Sequence, residues 1–186
     1  MRTHGHRPAR TAAMLAAAAA CLLVALTGCG SDDESTPTTE TTTELPTGAL
    51  SSRELVKTAD GLCADATERI LADASPPDFG GDGPQPDEVS ASAGFWRATA
   101  SEGQTLVDQL SQLQPPKDEQ QQWNEFLDLM EAGTVDYANA LVGPAEDGDP
   151  DGFYQAAVDS QKELIELAKA SKALGLEVCG ARELGS

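Results

Sequence analysis

Apolar residues recur at helical spacing in four segments of the chain between residues 50 and 176. Each apolar position has another one three, four or seven residues away, which places them on one face of a helix. Proline pairs, Pro76-Pro77 and Pro115-Pro116, follow the first and second segments. The apolar positions are, in order, Leu55, Ala59, Leu62, Cys63, Ala66 and Ile70; Val89, Trp96, Ala100, Gly103, Val107 and Leu110; Trp123, Phe126, Leu127, Met130, Tyr137, Ala138 and Leu141; Phe153, Ala157, Leu164, Ile165 and Ala168.

Helix boundaries can be read at both ends of this region. Ser51 and Glu54 have the spacing of a capping box, so we expect the first helix to begin after Ser51. Asp149 followed by Pro150 is typical of a helix start, because proline is favoured at the first helical position. Gly175 follows the last apolar segment and predicts a left-handed glycine cap.

Strand signals are nearly absent, since no segment alternates with a period of two. Four amphipathic helices with short connections predict an all-α fold, an up-down-up-down four-helix bundle with one disulfide, preceded by a disordered tether. The aromatic residues recur at the helical spacing typical of buried core side chains, which favours a role in the core over an aromatic ligand-binding site. They are Trp96, Trp123, Phe126, Tyr137 and Phe153.

The N-terminus has the pattern of a secretory signal peptide. Residues 1–10 contain three arginines and no acid, and an uncharged run rich in Ala and Leu extends from Thr11 to Gly28. Its apolar core, residues 12–26, is short for a bilayer span. We therefore predict that residues 1–28 are removed, and Cys21 with them.

Leu26-Thr27-Gly28-Cys29 resembles the lipobox of bacterial lipoproteins. The resemblance implies cleavage before Cys29 and attachment of diacylglycerol to its sulfur. Cys29 is then the lipidation site, and the domain is held at the extracytoplasmic face of the cell membrane. Two or three acyl chains anchor a protein stably where one does not. A plain secreted protein, cut near the same place, is the alternative.

Composition after Gly28 is strongly acidic. The chain has 12 Lys and Arg and 31 Asp and Glu. Without the three arginines of residues 1–28, the net charge of the remaining chain is 9 − 31 = −22. This charge disfavours binding to nucleic acid and electrostatic attachment to anionic headgroups, and it favours a basic or cationic envelope partner. Residues 29–48 are rich in Ser, Thr, Asp and Glu and predict a disordered linker after the lipidated Cys29. Residues 49–180 form the predicted bundle domain, and residues 181–186 a C-terminal tail.

Cys63 and Cys179 are the thiols that remain once Cys29 is acylated and Cys21 removed. A lone pair in an oxidising compartment predicts a disulfide. A redox-active or metal-binding pair is the alternative, without a Cys-x-x-Cys spacing or a histidine to support it. Because Cys63 lies about three turns into the first helix, the chain after Gly175 must run back along that helix, or the helix must protrude from the bundle.

The arrangement of a cysteine in the first helix, a "LQPP" break and a terminal "LGLEVCG" is similar to small helical lipoproteins of high-GC Gram-positive bacteria. This resemblance extends over about 130 residues and implies no known activity. We predict no cofactor.

The mature sequence holds few groups that support catalysis. Both histidines, His4 and His6, lie within residues 1–28, which leaves none for a Ser-His or Cys-His centre or a histidine zinc site. Carboxylates occur in i,i+3 pairs that would serve as acid and base only if buried together. These pairs are Asp65 with Glu68, Asp128 with Glu131, and Glu163 with Glu166.

Asp147, Asp149 and Asp151 have the spacing of the first calcium ligands of an EF-hand loop, with Gly152 at the sixth position. Val158 stands where the loop needs a bidentate Glu, however. The helix-start interpretation of Asp149 competes with the metal site.

Three functions follow from these features. The first is a non-enzymatic, membrane-anchored extracytoplasmic lipoprotein that acts as a binding or structural module in the cell envelope. The second is a weak calcium- or cation-binding module that uses Asp147, Asp149 and Asp151. The third is a carboxylate-dependent hydrolase.

Overall fold

The fold is known from a computed structural model, which describes residue 46, residues 48–80 and residues 83–180. This part of the chain is mostly helical and contains no β-strand, only an isolated parallel bridge between Ala49 and Gln114. The predicted all-α class is confirmed. The helices are α1 (Ser52–Asp73), α2 (Pro86–Ala91), α3 (Ala93–Ser111), α4 (Gln120–Met130), a π-helical segment (Glu131–Asp136), α5 (Tyr137–Asp147), α6 (Pro150–Asp159) and α7 (Gln161–Leu174).

Several sequence predictions concern residues outside this part of the chain. They are the signal peptide 1–28, the lipidation site Cys29, all of the linker except Pro46 and Gly48, and the tail 181–186.

The predicted capping box at the start of α1 is confirmed. The Ser51 backbone N–H donates to Glu54 Oε2 at 3.0 Å, and the Ser51 hydroxyl donates to the same oxygen at 2.6 Å. In return, the Glu54 backbone N–H donates to Ser51 Oγ at 3.4 Å. Two backbone donors that have no partner within the helix are satisfied in this way.

We expect Ser51→Ala to lower the free energy of unfolding by about 1 kcal/mol, the usual cost of losing an N-cap hydroxyl. Urea denaturation measures the change. Ser101→Ala replaces an exposed serine within α3 and is the matched control, which should not destabilise the domain. Equal midpoints for the two variants would contradict the capping role.

The same cap makes stability depend on pH. Hydrogen bonds from the Ser51 side chain and backbone hold the pKa of Glu54 below its ordinary value. Because the folded pKa is the lower one, the stabilisation is present above the unfolded pKa and is lost as pH falls through the folded pKa. The stability difference between the native chain and Glu54→Gln should therefore shrink on acidification.

Three of the four predicted helical segments are interrupted rather than uniform. The second divides into α2 and α3 at Ser92, whose hydroxyl donates to the Val89 carbonyl at 2.7 Å and accepts from Trp96 Nε1 at 3.1 Å. The third changes from α-helix to π-helix and back between residues 130 and 137. The fourth divides into α6 and α7 at Ser160.

The buried apolar side chains form two clusters. The first cluster joins α1, the C-terminal half of α3, α4 and α7; the second joins α2, the N-terminal half of α3, α5 and α6. The first contains Leu55, Ala59, Leu62, Cys63, Ala66, Leu106, Val107, Leu110, Leu113, Trp123, Phe126, Met130, Val135, Leu167, Leu176 and Cys179. The second contains Val89, Ala93, Phe95, Trp96, Ala138, Leu141, Ala145 and Phe153.

Close backbone approach explains two glycines beside the π-helical segment. A Cβ on Gly133 would lie 3.0 Å from Leu167 Cδ2 of α7, and one on Gly103 would lie 3.1 Å from Thr134 Cγ2. Both separations are shorter than ordinary carbon contacts, which lie near 3.5 to 4.0 Å. The missing side chains let the segment pack closely against α3 on one side and α7 on the other.

Candidate functional site

Cys63 and Cys179 are joined in the structure, as predicted. Cys63, on α1, and Cys179, beyond α7, form a disulfide with their Cα atoms 5.4 Å apart. Both side chains belong to the first cluster and are almost fully buried, at 4% and 1% exposure. The bridge therefore ties the first helix to the end of the described chain, across a sequence separation of 116.

The chain reaches α1 by turning back after α7. Gly175 has φ 78° and ψ 18°, the left-handed conformation predicted for it, and caps the helix. The Leu176 N–H then donates to the Ser171 carbonyl at 2.9 Å, and the Leu176 side chain is buried in the first cluster. Of the two routes open from the sequence, the returning tail is confirmed.

Asp60 of α1 accepts hydrogen bonds from the backbone of this tail. One carboxylate oxygen, Oδ1, accepts from the backbone N–H groups of Val178 at 2.9 Å and Cys179 at 3.2 Å, and Oδ2 accepts from that of Glu177 at 3.0 Å. Hydrogen bonds to a charged acceptor are the stronger kind in proteins. Sequence reasoning missed Asp60, although it stands one helical turn before Cys63 and so shares a face with it.

The tail is also seated against α7. Gly180 has φ +74°, and a Cβ there would collide with Ser171 Oγ and lie 3.2 Å from Leu167 Cγ. Ser171 is buried, and its hydroxyl donates to the Leu167 carbonyl at 2.8 Å. The junction of α1, α7 and the tail is thus closely packed and forms a structural joint rather than a cleft.

Helix α6 begins in the loop that contains Asp147, Asp149 and Asp151. Asp149 is the N-cap of α6, and its Oδ1 accepts from the Gly152 N–H at 3.1 Å, with Pro150 at the first helical position. Within the described chain, no group of three or more His, Cys, Asp or Glu side chains is arranged to hold a metal ion. The structure thus supports the helix-start interpretation of Asp149, and the calcium site stays a prediction.

The carboxylate pairs considered for hydrolysis are distributed over the surface. Asp65, Glu68, Asp128 and Glu131 are exposed. Glu163 is half-buried, and its Oε2 atom is covered without a hydrogen-bond partner. Among the described residues, no Asp or Glu is fully buried, so the structure shows no enclosed acid and base pair.

The aromatic residues are core, as predicted, but they are divided between the two clusters. Trp123 and Phe126 lie in the first, with ring centroids 5.1 Å apart. In the second, the Trp96 ring lies 5.7 Å from that of Tyr137 and 5.9 Å from that of Phe153. No shared box is formed by the five rings.

Two open grooves mark the described surface. One, of about 420 Å³, lies between α1 and the segment that leads into it, and is lined by Pro46, Leu50, Glu54, Lys57, Thr58, Gly61, Leu62 and Asp65. The other, of about 330 Å³, lies beside the π-helical segment and is lined by Arg97, Ala100, Ser101, Gln104, Val135, Asn139 and Val142. Neither contains a histidine or a cysteine.

A third surface feature lies on α6 and α7. Three apolar side chains project into solvent there: Tyr154 is 66% exposed, Val158 43% and Ile165 38%. Three exposed lysines accompany them on α7, and we call these six residues the lysine face. The lysines are Lys162, Lys169 and Lys172.

Comparison with known proteins identifies no relative. No protein-family model matches the chain, and no curated protein or solved structure matches it significantly. In residues 46, 48–80 and 83–180, no helix has both the length and the hydropathy needed to cross a bilayer.

Proposed function

We propose that this chain is a lipid-anchored extracytoplasmic protein whose helical domain acts, without catalysis, as a binding or structural module of the cell envelope. The observation that carries the proposal is the Cys63–Cys179 disulfide. It uses the two thiols that remain when Cys21 is removed and Cys29 is acylated. Structural disulfides form and persist in extracytoplasmic compartments and are rare in the cytosol.

The proposed architecture has three parts. Acyl chains on Cys29 hold the mature N-terminus in the membrane, and residues 29–48 form a disordered tether with a root-mean-square reach of about 25 Å. Residues 49–180 follow as an up-down-up-down bundle. The helix pairs support this order, since α1 packs on α3, α3 on α5, and α4 on α7.

A binding role suits the chemistry of the domain. Residues 29–186 contain no histidine, and the described carboxylates lie at the surface or are half-buried. The mature charge of −22 gives the domain a field that attracts basic or cationic envelope partners and repels nucleic acid. Charge of this kind acts mainly on the rate of association and on the choice of partner.

The anchor is tested by comparing the native chain with Cys29→Ala in a bacterial host that processes lipoproteins. We expect the native chain in the membrane fraction, with the mass of a diacylglyceryl-modified Cys29 at its N-terminus. The Cys29→Ala chain should lose that modification and leave the membrane fraction or retain an uncut signal. Cys21→Ala is the matched control and should behave as the native chain. An unmodified mature N-terminus in the native protein would overturn the proposal and favour a plain secreted protein.

A further inference from the structure

The larger open groove contains a glycine that no packing contact in the described chain explains. Gly61 stands in the middle of the 22-residue helix α1, where glycine is less stable than alanine. Outside its own helical backbone and its chain neighbours, no described atom lies within 4 Å of the position that a Cβ on Gly61 would take. Gly94 and Gly143 share this freedom, but neither lines either of the two grooves. The space beside Gly61 is therefore open within the groove.

The lining of the groove combines apolar and charged side chains. Leu50 is half-buried and Leu62 is buried, whereas Glu54, Lys57 and Asp65 are exposed. Apolar surface that is only partly covered favours contact with another apolar group, because that contact removes both from water. The groove therefore suits an apolar side chain from a segment that lies along α1.

The chain that precedes α1 leads to this groove. The Leu50 N–H donates to the Gln114 carbonyl at 2.8 Å, which fixes the chain just before the helix. Gly48 has φ +123°, a conformation that residues with side chains rarely adopt, and it bends the chain. Beyond that bend, Pro46 lines the groove together with residues of α1. The segment that ends at Pro46 thus meets the domain at the groove.

Leu45 is the apolar residue of that segment. Residues 30–44 contain no Ala, Val, Leu, Ile, Met or aromatic residue, so Leu45 stands alone at the end of a polar stretch. A trans peptide bond places neighbouring Cα atoms about 3.8 Å apart, so Leu45 is at most a few ångströms from the groove that Pro46 lines. A residue before proline favours an extended conformation, which continues the direction of the chain.

Charge at the groove is compatible with an acidic segment. Of its charged residues, Glu54 is engaged in the capping box, and Lys57 forms no ion pair with any described side chain. Glu44, next to Leu45 in the sequence, can therefore pair with Lys57. An exposed pair of this kind adds little stability, but it offsets the repulsion from Asp65.

We propose that the groove is a docking site for the chain's own Leu45, so that residues 44–46 form a strap over Gly61. Covalent attachment favours this occupant, because it supplies a local concentration that a separate partner lacks. The flexible part of the tether then ends near Glu44, and the tether leaves the domain from the side of α1. The groove is thereby the point at which the membrane anchor pulls on the domain, a consequence that rests on the proposed lipidation of Cys29.

Alanine at position 61 tests whether the space is occupied. Alanine is favoured over glycine within a helix, so in an empty groove Gly61→Ala should lower the unfolding equilibrium constant about two- to fivefold. With Leu45 in place, the new Cβ crowds the docked side chain and this gain should disappear. Gly94→Ala, at an exposed helical glycine with the same freedom, is the matched control and should stabilise the full chain.

Leu45→Ser supplies the second half of a double-mutant cycle. We expect it to raise the unfolding equilibrium constant about fivefold, the effect of exposing roughly half of a leucine side chain. In this background the groove is open, so Gly61→Ala should regain its two- to fivefold stabilisation, while the effect of Gly94→Ala should be unchanged. Urea denaturation of each full chain measures these constants.

Proton contacts identify the occupant directly. In isotope-labelled full chain we expect a nuclear Overhauser effect between the Leu45 methyl protons and the α-protons of Gly61. Equal stabilisation by Gly61→Ala in both backgrounds would overturn the proposal and leave the groove to an outside partner. Contacts at Gly61 from a second copy, detected in a mixture of labelled and unlabelled chains, would also overturn it, in favour of a dimer.

The strap and the anchor can fail separately. None of these measurements involves a membrane, so a strap that fails them leaves the lipidation of Cys29 untouched. A Cys29 found unmodified in the anchor experiment would in turn leave the docking of Leu45 standing and remove only the pull of the anchor on the groove.

Discussion

Reducing the Cys63–Cys179 disulfide, or replacing both cysteines by alanine, should lower the free energy of unfolding by about 4 to 5 kcal/mol. The figure follows from the sequence separation of 116, since closing a loop of about a hundred residues restricts the unfolded chain by that amount. The whole free energy of unfolding of a small domain is only about 5 to 15 kcal/mol. Without the disulfide, the domain should therefore be only marginally stable at physiological temperature.

Urea denaturation of the native, reduced and Cys63→Ala/Cys179→Ala chains measures this loss. The slope of the free energy against urea should rise without the bridge, because the unfolded chain then exposes more surface. An unchanged midpoint after complete reduction would contradict the prediction. It would mean that packing around the tail, rather than the covalent bond, holds α1 to the end of the chain.

Asp60→Ala distinguishes these two contributions. It removes the acceptor for the three tail N–H groups but leaves the disulfide intact. Because Glu177 and Val178 are exposed, water can replace some of the lost hydrogen bonds. We therefore expect the free energy of unfolding to fall by about 1 to 2 kcal/mol. Asp65→Ala, at an exposed position of the same helix, is the control and should be nearly neutral.

Local signals made much of the fold predictable. A capping box at Ser51, proline at position 150 and glycine at position 175 each specify a helix end through interactions within a few residues, and the structure places each helix end there. The cysteine pairing was predictable for a different reason. With Cys29 and Cys21 assigned to the anchor and signal, a single pair remained.

Features that depend on contacts between distant residues were not predictable. Gly133 of the π-helical segment lies close to Leu167 of α7, a contact that apolar periodicity within one segment does not reveal. Asp60 becomes a hydrogen-bond acceptor only when the tail, from Glu177 to Cys179, folds back onto α1. The lysine face is a pattern of exposure, and it becomes visible only once the opposite side of α7 is known to be buried.

The division of the core into two clusters raises the question of whether the domain unfolds as one unit. Helix α3 contributes Trp96 to the second cluster and Leu110 to the first, and the segment from α4 to α5 likewise passes through both. Because rigid helices cross from one cluster to the other, loss of either should remove the packing surface of the other. We expect a single cooperative transition.

Phe126→Ala provides a large perturbation confined to the first cluster. Phe126 is fully buried, and truncation of such a side chain costs about 3 to 5 kcal/mol through lost burial and the cavity that remains. Tyr154→Ala removes an aromatic ring that is 66% exposed and is the control, with little expected effect on unfolding.

The chain supplies its own reporters for the two clusters, since its two tryptophans are divided between them: Trp123 lies in the first and Trp96 in the second. In a Trp96→Phe background, fluorescence follows the first cluster, and in a Trp123→Phe background it follows the second. Phe126→Ala should lower the unfolding free energy in both backgrounds, by amounts that differ only through the coupling of Phe126 to the Trp123 ring that it contacts. A loss seen by Trp123 alone would mean that the clusters unfold separately, and the two halves of α3 would then belong to different cooperative units.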